Sequence, residues 1–579
     1  MEVLYAAMPE FHDRLLAQAA PSVLVSALKE PCVKDRSTEF WLQRILDTNT
    51  LEEASYDYIV GADGAHSLVR LLCGIDMAGT RNLQSIANVH FTSKALSEAA
   101  RENPAMLYFV FNKEVVGILI AHDLNQGEWV FQIPFFPPQE SIPWDFSTAQ
   151  CKEIVRHILP KDVKVRDDDI NILSAGQWRM GARVAKQYDA AKQRIFLVGD
   201  AAHQFPPAGG FGMNTGLQDT HNLVWKIALA IQANAGESAA GADSIDTQAL
   251  LGSYGRERQL VAKTNTQFSL SNVARTMKIP RALNVSHDNA QTLAKIINSA
   301  PMQLLPLRAQ REIAQRVMRV GKMPLGLLDE AKNAGGPGSA LGDRMRASVQ
   351  DIVTRRKTLG MMFYHFDIGF SYDAPSWAAR AKKLMEDPAL DQSVEFRTEI
   401  SDGDSIIYSP TYRVGERFPH FWCTNDKSGA TKVSSHDMMR LAVQVDNSAE
   451  DLGNVQFVLV VGGRDAAQVI SLCSTSSSSV VAKHVTLVVL RSAADGESSA
   501  SIDALISKAQ ESSTFGSVLS WQVVEDESDN KAWSSFMNSS AAALVRPDGH
   551  VGALWKTKEL ENLSSAALTQ SLQRAVQLS

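Results

Sequence analysis

Two stretches of the chain repeat the same order of hydrophobic and polar positions. Residues 195–198 are apolar and lead through Gly199 to Asp200, after which a turn rich in proline and glycine precedes a stretch with helical spacing over 217–231. Residues 56–70 repeat this order, with an apolar run that ends at the glycine-flanked Asp63. Each pattern predicts a short strand that delivers an aspartate to a turn, followed by a helix.

Other patterns divide the rest of the chain into a sheet region, a helical region and a second α/β region. Aromatic and β-branched runs predict strands within 106–120 and 128–136, which suit a sheet that floors a substrate cavity. Apolar spacing predicts helices over 217–231, 250–268 and 293–320, in which Arg256, Glu257 and Arg258 are expected to form surface or interhelix ion pairs. Beyond residue 410, the pattern predicts strands over 455–461 and 484–490, a helix over 502–510 and a hairpin over 541–555 that turns at 547–549.

The residues around Asp200 have the chemistry that a nucleotide-binding turn needs. The carboxylate of Asp200 can accept hydrogen bonds from ribose hydroxyls, and the backbone can approach a planar or phosphorylated ligand at three residues without a Cβ, Gly209, Gly210 and Gly212. Asn214 and Thr215 are expected where the next helix starts, so its free N–H groups would point at the turn. One such unit is also explained by an aspartate that only caps a helix, whereas two in one chain favour nucleotide binding.

These motifs resemble the internal fingerprints of FAD-dependent aromatic monooxygenases, the flavoprotein class that contains phenol, dichlorophenol and polyketide hydroxylases. Residues 61–70, GADGAHSLVR, resemble the DG motif of this family, and residues 199–216, GDAAHQFPPAGGFGMNTG, resemble its GD motif. The resemblance implies an α/β (α+β) fold: an incomplete FAD-binding Rossmann-like domain with an inserted β-sheet substrate domain, then a helical segment and a thioredoxin-like C-terminal domain. It implies a monooxygenase region over 1–360, a connecting segment over 361–410 and the C-terminal domain over 411–579.

The same resemblance implies roles for individual residues. FAD contacts are implied for Asp63, Gly64, Arg70, Asp200, Gly210, Gly212, Met213 and Asn214, with Asp63 also serving the nicotinamide nucleotide. The carbonyl of Pro207 is implied to contact the substrate hydroxyl, and Trp178 is implied to lie on a substrate-side strand. Residues 367–373 and 413–422 resemble the segments that lead into the C-terminal domain of phenol hydroxylases. Because C-x-x-C is absent, that domain is expected to be structural or to form a homodimer. The catalytic base stays unassigned.

The opening of the chain departs from the family pattern. In this fold a strand, a G-x-G-x-x-G turn and a helix normally hold the FAD pyrophosphate, and no such turn precedes Asp63. Residues 335–342 are rich in glycine but lack the spacing and the preceding strand, so a plain loop is predicted there. The simplest interpretation is that roughly a hundred residues of the opening unit are absent. The helix expected over 10–19 then resembles the middle of the family's fold, and Met8 aligns with a position near the flavin where relatives often carry glutamine, so the resemblance does not imply that contact here.

Bulk properties exclude several other classes of protein. The 579 residues, 45% of them hydrophobic, predict two or three domains with large cores. No long apolar run predicts a membrane span, and the net charge of −7 argues against a nucleic-acid partner. The five scattered cysteines predict reduced thiols in a cytoplasmic compartment, and neither they nor the histidines have the spacing of a metal site.

The resemblance implies an enzyme that uses FAD, NAD(P)H and O2, through a C4a-hydroperoxyflavin, to hydroxylate a small phenolic or other aromatic substrate. Two alternatives stay open from the residues alone. One is a catalytically impaired pseudoenzyme or binding paralogue, because the G-x-G-x-x-G unit is missing. The other is a flavoenzyme of a related reaction class, such as a halogenase or an epoxidase.

Overall fold

The structure is a computed structural model. It describes residues 4–6, 40–45, 51–112, 114–135, 146–159, 169–235, 245–283, 337–354, 364–373, 377–379, 412–425, 432–443, 455–474, 484–491, 499–511, 517–523 and 540–561, with a few isolated residues between them. Met8, the helix predicted over 10–19 and most of the helix predicted over 293–320 lie outside these ranges.

Strands and helices alternate through these ranges. The strands are β1 (Leu4–Ala6), β2 (Phe40–Ile45), β3 (Leu51–Tyr56), β4 (Ile59–Gly61), β5 (Met77–Thr92), β6 (Leu107–Phe111), β7 (Val116–Asp123), β8 (Glu128–Phe135), β9 (Asn171–Ala185), β10 (Asp189–Ala190), β11 (Ile195–Leu197), β12 (His203–Gln204), β13 (Trp422–Asn425), β14 (Lys432–Ser434), β15 (Phe457–Gly462), β16 (Val485–Arg491), β17 (Ser517–Val523), β18 (Ala542–Val545) and β19 (Val551–Trp555). The helices are α1 (Leu68–Leu72), α2 (Lys94–Ala100), α3 (Thr148–Ile158), α4 (Phe211–Ala235), α5 (Thr247–Thr276), α6 (Lys278–Ala282), α7 (Pro337–Thr354), α8 (Tyr364–Asp367), α9 (Ser435–Val443), α10 (Gly463–Ser474), α11 (Ser499–Glu511) and α12 (Thr557–Glu561). No helix in the described ranges is long and apolar enough to cross a membrane.

A four-stranded sheet in the order β1-β4-β11-β10 brings the two aspartate motifs side by side. Strands β4 and β11 are parallel, with Ile59 opposite Ile195 and Gly61 opposite Leu197. Both strands are almost wholly apolar because the sheet is covered on both faces. Since parallel strands end at the same edge, the turns that follow β4 and β11 meet there.

A six-stranded antiparallel sheet, in the order β12-β9-β5-β8-β7-β6, forms a second layer. All of its strands except β12 lie between β4 and β11 in the sequence. Its core holds fully buried aromatic side chains, among them Phe91, Trp129 and Phe131. The strands predicted within 106–120 and 128–136 are confirmed, but the first run is broken at Asn112, whose side-chain oxygen accepts hydrogen bonds from the backbone of Glu114 and Val115 at 2.9 and 2.7 Å.

Helices α4 and α5 form the centre of the molecule. One side of α4 packs Leu223 and Ile227 against Phe196 and Leu197 of the four-stranded sheet. Another side packs Trp225 and neighbouring residues against strands of the C-terminal region. A helix that is apolar on more than one side is a buried helix, and α4 therefore lies between two cores.

The C-terminal region contains a seven-stranded sheet in the order β14-β13-β17-β16-β15-β18-β19. Its central strands β15, β16 and β17 are parallel, whereas β18 and β19 form an antiparallel hairpin. The strands predicted over 455–461 and 484–490, the helix over 502–510 and the hairpin over 541–555 are confirmed, with ends that differ by at most three residues. The hairpin turns at Gly549, whose φ of 78° favours glycine.

The mixed α/β class predicted from the sequence is confirmed, whereas the prediction for residues 335–342 is wrong. The loop expected over 335–342 is a helix from Pro337 onward. Proline is tolerated at the first position of a helix, because its fixed φ suits the helix and its missing N–H would have no partner there. The glycines that follow did not outweigh this start signal.

Gly61 offers a direct test of how tightly α1 packs on β4. A Cβ at Gly61 would lie 2.9 Å from Val69 Cβ and 3.1 Å from Leu197 Cδ2. We therefore expect Gly61→Ala to lower the free energy of unfolding by about 1–3 kcal/mol, the cost of overpacking a core. Urea unfolding measures this change.

The matched control is Gly252→Ala in α5, where an added Cβ would meet only ordinary contacts of 3.5 Å or more. There the change is expected to stabilise by about 0.5–1 kcal/mol, because alanine restricts the unfolded chain. Equal or greater stability of the Gly61→Ala variant would contradict the packing described.

Candidate functional site

The turns after β4 and β11 are tied together by one arginine. The Arg70 guanidinium donates from Nη1 to the carbonyl of Ala201 at 2.7 Å and from Nη2 to the carbonyl of Ala65 at 3.1 Å. Gln204 Nε2 donates to the same Ala65 carbonyl at 2.8 Å. The DG and GD turns therefore form one continuous edge. The Arg70 guanidinium thus binds the backbone of both motifs, a structural role that the sequence did not indicate.

Asp63 caps helix α1 and keeps one oxygen free. Its Oδ2 accepts from the backbone N–H groups of Leu68 at 2.7 Å and Val69 at 3.0 Å. Ser67 completes the start of the helix, because its hydroxyl accepts from the N–H of Arg70 at 2.9 Å. Among the residues that the structure describes, Asp63 Oδ1 is buried and has no hydrogen-bond partner. The capping role considered from the sequence is thus present, and a second acceptor atom is left beside it.

The glycines of the two turns leave open space next to the backbone. Gly64 and Gly210 have φ angles of 77° and 71°, and at these two residues and Gly212 an added Cβ would meet no heavy atom within 4 Å. Asp200 is exposed at the same edge. Partial loss of water raises the pKa of the Asp200 carboxyl above its ordinary value, and nearby His203 opposes the rise.

Helix α4 starts earlier than the sequence predicted. It begins at Phe211, so Asn214 and Thr215 lie inside its first turns instead of at its cap. The Asn214 amide donates to the carbonyl of Gly210 at 3.0 Å, while the buried Thr215 hydroxyl accepts from Asn265 at 3.1 Å. The unpaired N–H groups at the helix start therefore belong to a first turn that includes Gly212 and the 76% exposed Met213.

The two residues with implied substrate contacts are both already hydrogen-bonded within the protein. Pro207 is exposed, and its carbonyl accepts from the N–H of Gly210 at 3.2 Å. Trp178 is half-buried on β9, where its indole N–H donates to Asn88 Oδ1 at 3.0 Å. A carbonyl oxygen has two lone pairs, so Pro207 can accept a second hydrogen bond.

Beneath the GD turn lies Asp219, a fully buried carboxylate of α4. Its Oδ2 accepts from the backbone N–H of Gly199 at 3.1 Å and lies 2.7 Å from His203 Nε2. Its Oδ1 accepts from Arg258 Nε at 2.8 Å. Burial by itself would raise the pKa of Asp219, but His203 and Arg258 outweigh burial and lower it.

A second buried carboxylate, Glu257, joins α5 to the C-terminal hairpin. It accepts from Lys226 Nζ at 2.8 Å and from both terminal nitrogens of Arg546 at 2.7 and 2.9 Å. Arg546 also donates to Asp548 at 2.6 Å, and Asn222 donates to Glu257 at 2.8 Å and to Asp548 at 3.1 Å. Burial opposes ionisation, yet Arg546 and Lys226 hold the pKa of Glu257 at about 2.

Tyr372 connects these two carboxylate clusters. Arg258 Nη1 donates to its hydroxyl at 3.3 Å, and its ring lies 4.3 Å from the ring of His550. We call the whole set the buried charge network; its members are His203, Asp219, Asn222, Lys226, Glu257, Arg258, Tyr372, Arg546, Asp548 and His550. Two alternatives were expected for Glu257 and Arg258, surface pairs or pairs between helices, and the structure shows the second, with both side chains fully buried. The spacing of Asp219, Asn222 and Lys226 on one face of an apolar helix was the available signal.

Comparisons with known proteins identify the region around this edge. Residues 43–269 match the family model described as FAD binding domain. The chain is similar to a putative polyketide hydroxylase of Streptomyces halstedii, 37% identical over 210 residues, which cover 36% of this chain and 35% of that protein. It is also similar to the 4-methyl-5-nitrocatechol 5-monooxygenase of a Burkholderia species, 32% identical over 224 residues, which cover 38% of each chain. The matched stretches thus span little more than a third of these relatives.

Solved structures agree at the level of the fold. The flavin-dependent monooxygenase PieE, in complex with FAD and substrate, superposes with a TM-score of 0.55 at 21% identity, covering 92% of this chain and 72% of that one. Aklavinone-11 hydroxylase, in a ternary complex with FAD and aklavinone, gives a TM-score of 0.53 at 18% identity over 93% and 71% of the two chains. The chain shares its fold with these two proteins. The resemblance drawn from the DG and GD motifs is confirmed by the match of residues 43–269 to the FAD binding domain family.

Glu257→Gln tests the buried charge network. We expect this variant to lower the free energy of unfolding at pH 7 by about 3–5 kcal/mol, because buried Lys226 and Arg546 lose a counter-charge. In the wild type, the folded pKa of about 2 lies below the ordinary value of 4.5, so stability present above pH 4.5 is lost as the pH falls toward 2. The variant should lack this part of the acid sensitivity.

Urea unfolding at a series of pH values measures both effects. The control is Glu153→Gln, whose side chain is 57% exposed in a surface pair with Arg156 and which should change stability by less than about 1 kcal/mol. A Glu257→Gln variant as stable as wild type at pH 7 would show that the network does not hold the molecule together.

Proposed function

We propose that this chain acts as an FAD-dependent monooxygenase that hydroxylates an aromatic polyketide or a related phenolic substrate with NAD(P)H and O2. The observation that carries the proposal is the edge at which Arg70 joins the DG and GD turns inside an FAD binding domain. The similarity to proteins named polyketide hydroxylase and nitrocatechol monooxygenase supports the choice of an aromatic substrate.

The residues at this edge fit FAD. Asp63 has an oxygen without a partner among the described atoms, and Asp200 presents an exposed carboxylate, so both can accept hydrogen bonds from hydroxyl groups of the cofactor. The space beside Gly210 and Gly212 admits a planar ring next to the backbone. The first turn of α4 supplies N–H groups and a positive dipole end that stabilise negative charge on the pyrimidine side of the ring.

When bound, FAD supplies the redox and oxygen-transfer chemistry, and the protein supplies binding, orientation and exclusion of water. Met213 and Leu217 lie one turn apart on α4 and are 76% and 64% exposed, so they offer apolar contact to an aromatic ring and keep water from it. The second lone pair of the Pro207 carbonyl can accept the substrate hydroxyl. Trp178, on strand β9 of the six-stranded sheet, is a further proposed substrate contact.

The domain division into 1–360, 361–410 and 411–579 is part of the same proposal. Parallel β15, β16 and β17 beside the antiparallel β18–β19 hairpin support a thioredoxin-like C-terminal domain. Its proposed role is structural, because Arg546 and Asp548 of the hairpin reach the helices of the FAD binding region.

Flavin binding is tested with Asp200→Ala. We expect the Kd for FAD to rise roughly 10- to 100-fold, since the change removes a hydrogen bond to a charged acceptor. Fluorescence titration of FAD measures the Kd. The control is Asp76→Ala, an aspartate that is 76% exposed and paired with Lys186 at the surface, which should leave the Kd unchanged. Equal affinity of the Asp200→Ala variant, or no FAD binding by the wild-type chain, would contradict the proposal.

The reaction class is tested by supplying the FAD-loaded chain with NADH or NADPH, chloride, isotopically labelled O2 and a panel of polycyclic phenols. We expect a product that contains one labelled oxygen atom, detected by mass spectrometry. Incorporation of chlorine would instead identify a halogenase. Bound FAD without any product would favour a binding paralogue, and either result would overturn the proposed hydroxylation.

A further inference from the structure

The backbone of the GD turn is bound by the side chain of Asp219, a residue of α4 that lies outside both sequence motifs. Asp219 accepts from the N–H of Gly199, the residue immediately before Asp200, and also contacts His203, three residues beyond Asp200. Its carboxylate therefore spans the base of the turn that carries the exposed Asp200. A shift of this carboxylate would displace both ends of that turn.

The backbone of the turn lies very close to helix α4 at Gly199. Gly199 has a φ of 59°, and a Cβ on Gly216 of α4 would lie only 3.1 Å from Gly199 Cα. The turn and the helix thus approach through two glycines, and Asp219 stands one helical turn beyond Gly216. This close approach lets a short aspartate side chain reach the N–H of Gly199.

Asp219 is in turn fixed by groups from distant parts of the chain. Arg258 of α5 donates to it and to the hydroxyl of Tyr372, whose ring lies against His550 of the C-terminal hairpin. The guanidinium of Arg546, in the same hairpin, lies over the Tyr372 ring, with 5.1 Å between the guanidinium carbon and the ring centroid. A continuous series of contacts therefore runs from the hairpin to the turn before Asp200.

Stability alone is a weak reason for such an arrangement. Apolar residues of similar volume usually stabilise a core as well as a buried ion pair does, because ion pairs lose their hydration on burial. A carboxylate that accepts from one particular N–H also specifies a geometry, which an apolar side chain does not.

We propose that Asp219 is a positioning residue for the flavin-binding turn, and that Arg258, Tyr372 and the C-terminal hairpin hold its carboxylate in place. The inference rests on the proposed function, since it assigns the turn to FAD. It makes the C-terminal region part of the support that fixes the backbone of the flavin-binding turn.

Two measurements on the full chain test this role. Hydrogen exchange followed by mass spectrometry, without FAD, reports on the backbone of residues 199–203. Fluorescence titration reports the Kd for FAD. For Asp219→Asn we expect roughly tenfold faster exchange of the Gly199 segment and a roughly tenfold higher Kd, the effect of losing one charge-assisted hydrogen bond. The control, Asp503→Asn, alters a carboxylate in the C-terminal region that is 63% exposed and paired with Arg491, and it should change neither quantity.

Tyr372→Phe is a second, more conservative variant. It tests the positioning role of Asp219 if Asp219→Asn does not fold. It keeps the ring and removes only the hydroxyl that accepts from Arg258, so we expect a roughly two- to fivefold higher Kd. In the double variant the two effects should be non-additive, because Tyr372 reaches the turn only through Arg258 and Asp219.

Wild-type exchange over 199–203 and wild-type Kd in both variants, with only the melting temperature lowered, would overturn the positioning role and leave the proposed function intact. A wild-type chain that binds no FAD would overturn the proposed function. In that case unchanged exchange in Asp219→Asn would overturn the link to the turn as well.

Discussion

Two fully buried carboxylates, Asp219 and Glu257, bind together parts of the chain that are far apart in sequence. Each accepts hydrogen bonds from a cation on another element, Arg258 for Asp219 and Arg546 for Glu257. A buried charge that loses its partner costs several kcal/mol. The helices α4 and α5 and the C-terminal hairpin must therefore dock together, because Asp219 of α4 and Glu257 of α5 have their cationic partners on other elements.

The edge at which Arg70 joins the DG and GD turns depends on the same constraint. The parallel pairing of β4 and β11 places the two aspartate turns next to each other, and Arg70 closes the gap between them. The position of the second turn is then set from below by Asp219. As a result, Asp200 is exposed and can contact a ligand, while Asp219 and His203, which fix the backbone around it, are buried.

Much of this edge was predictable because its signals are local. Apolar runs, glycines and flanking polar residues predicted β4, β11 and the two turns around Asp63 and Asp200. The start of α4 was misplaced because Asn214 is a preferred cap residue, although here its amide donates to Gly210 from within the first turn. The buried charge network was missed because its key pair, Glu257 and Arg546, is 289 residues apart in sequence. The sequence around Glu257 and Arg258 is compatible with surface pairs and with pairs between helices, because tertiary packing decides whether such residues are buried.

Because the buried charge network joins the FAD binding region to the C-terminal region, we expect the two regions to unfold as one cooperative unit. Differential scanning calorimetry of the wild-type chain, with and without FAD, measures this. We expect a single unfolding transition that moves to higher temperature as the FAD concentration rises, since a ligand that binds only the folded state stabilises everything that unfolds with its site. Two separate transitions, of which FAD raises only one, would contradict it.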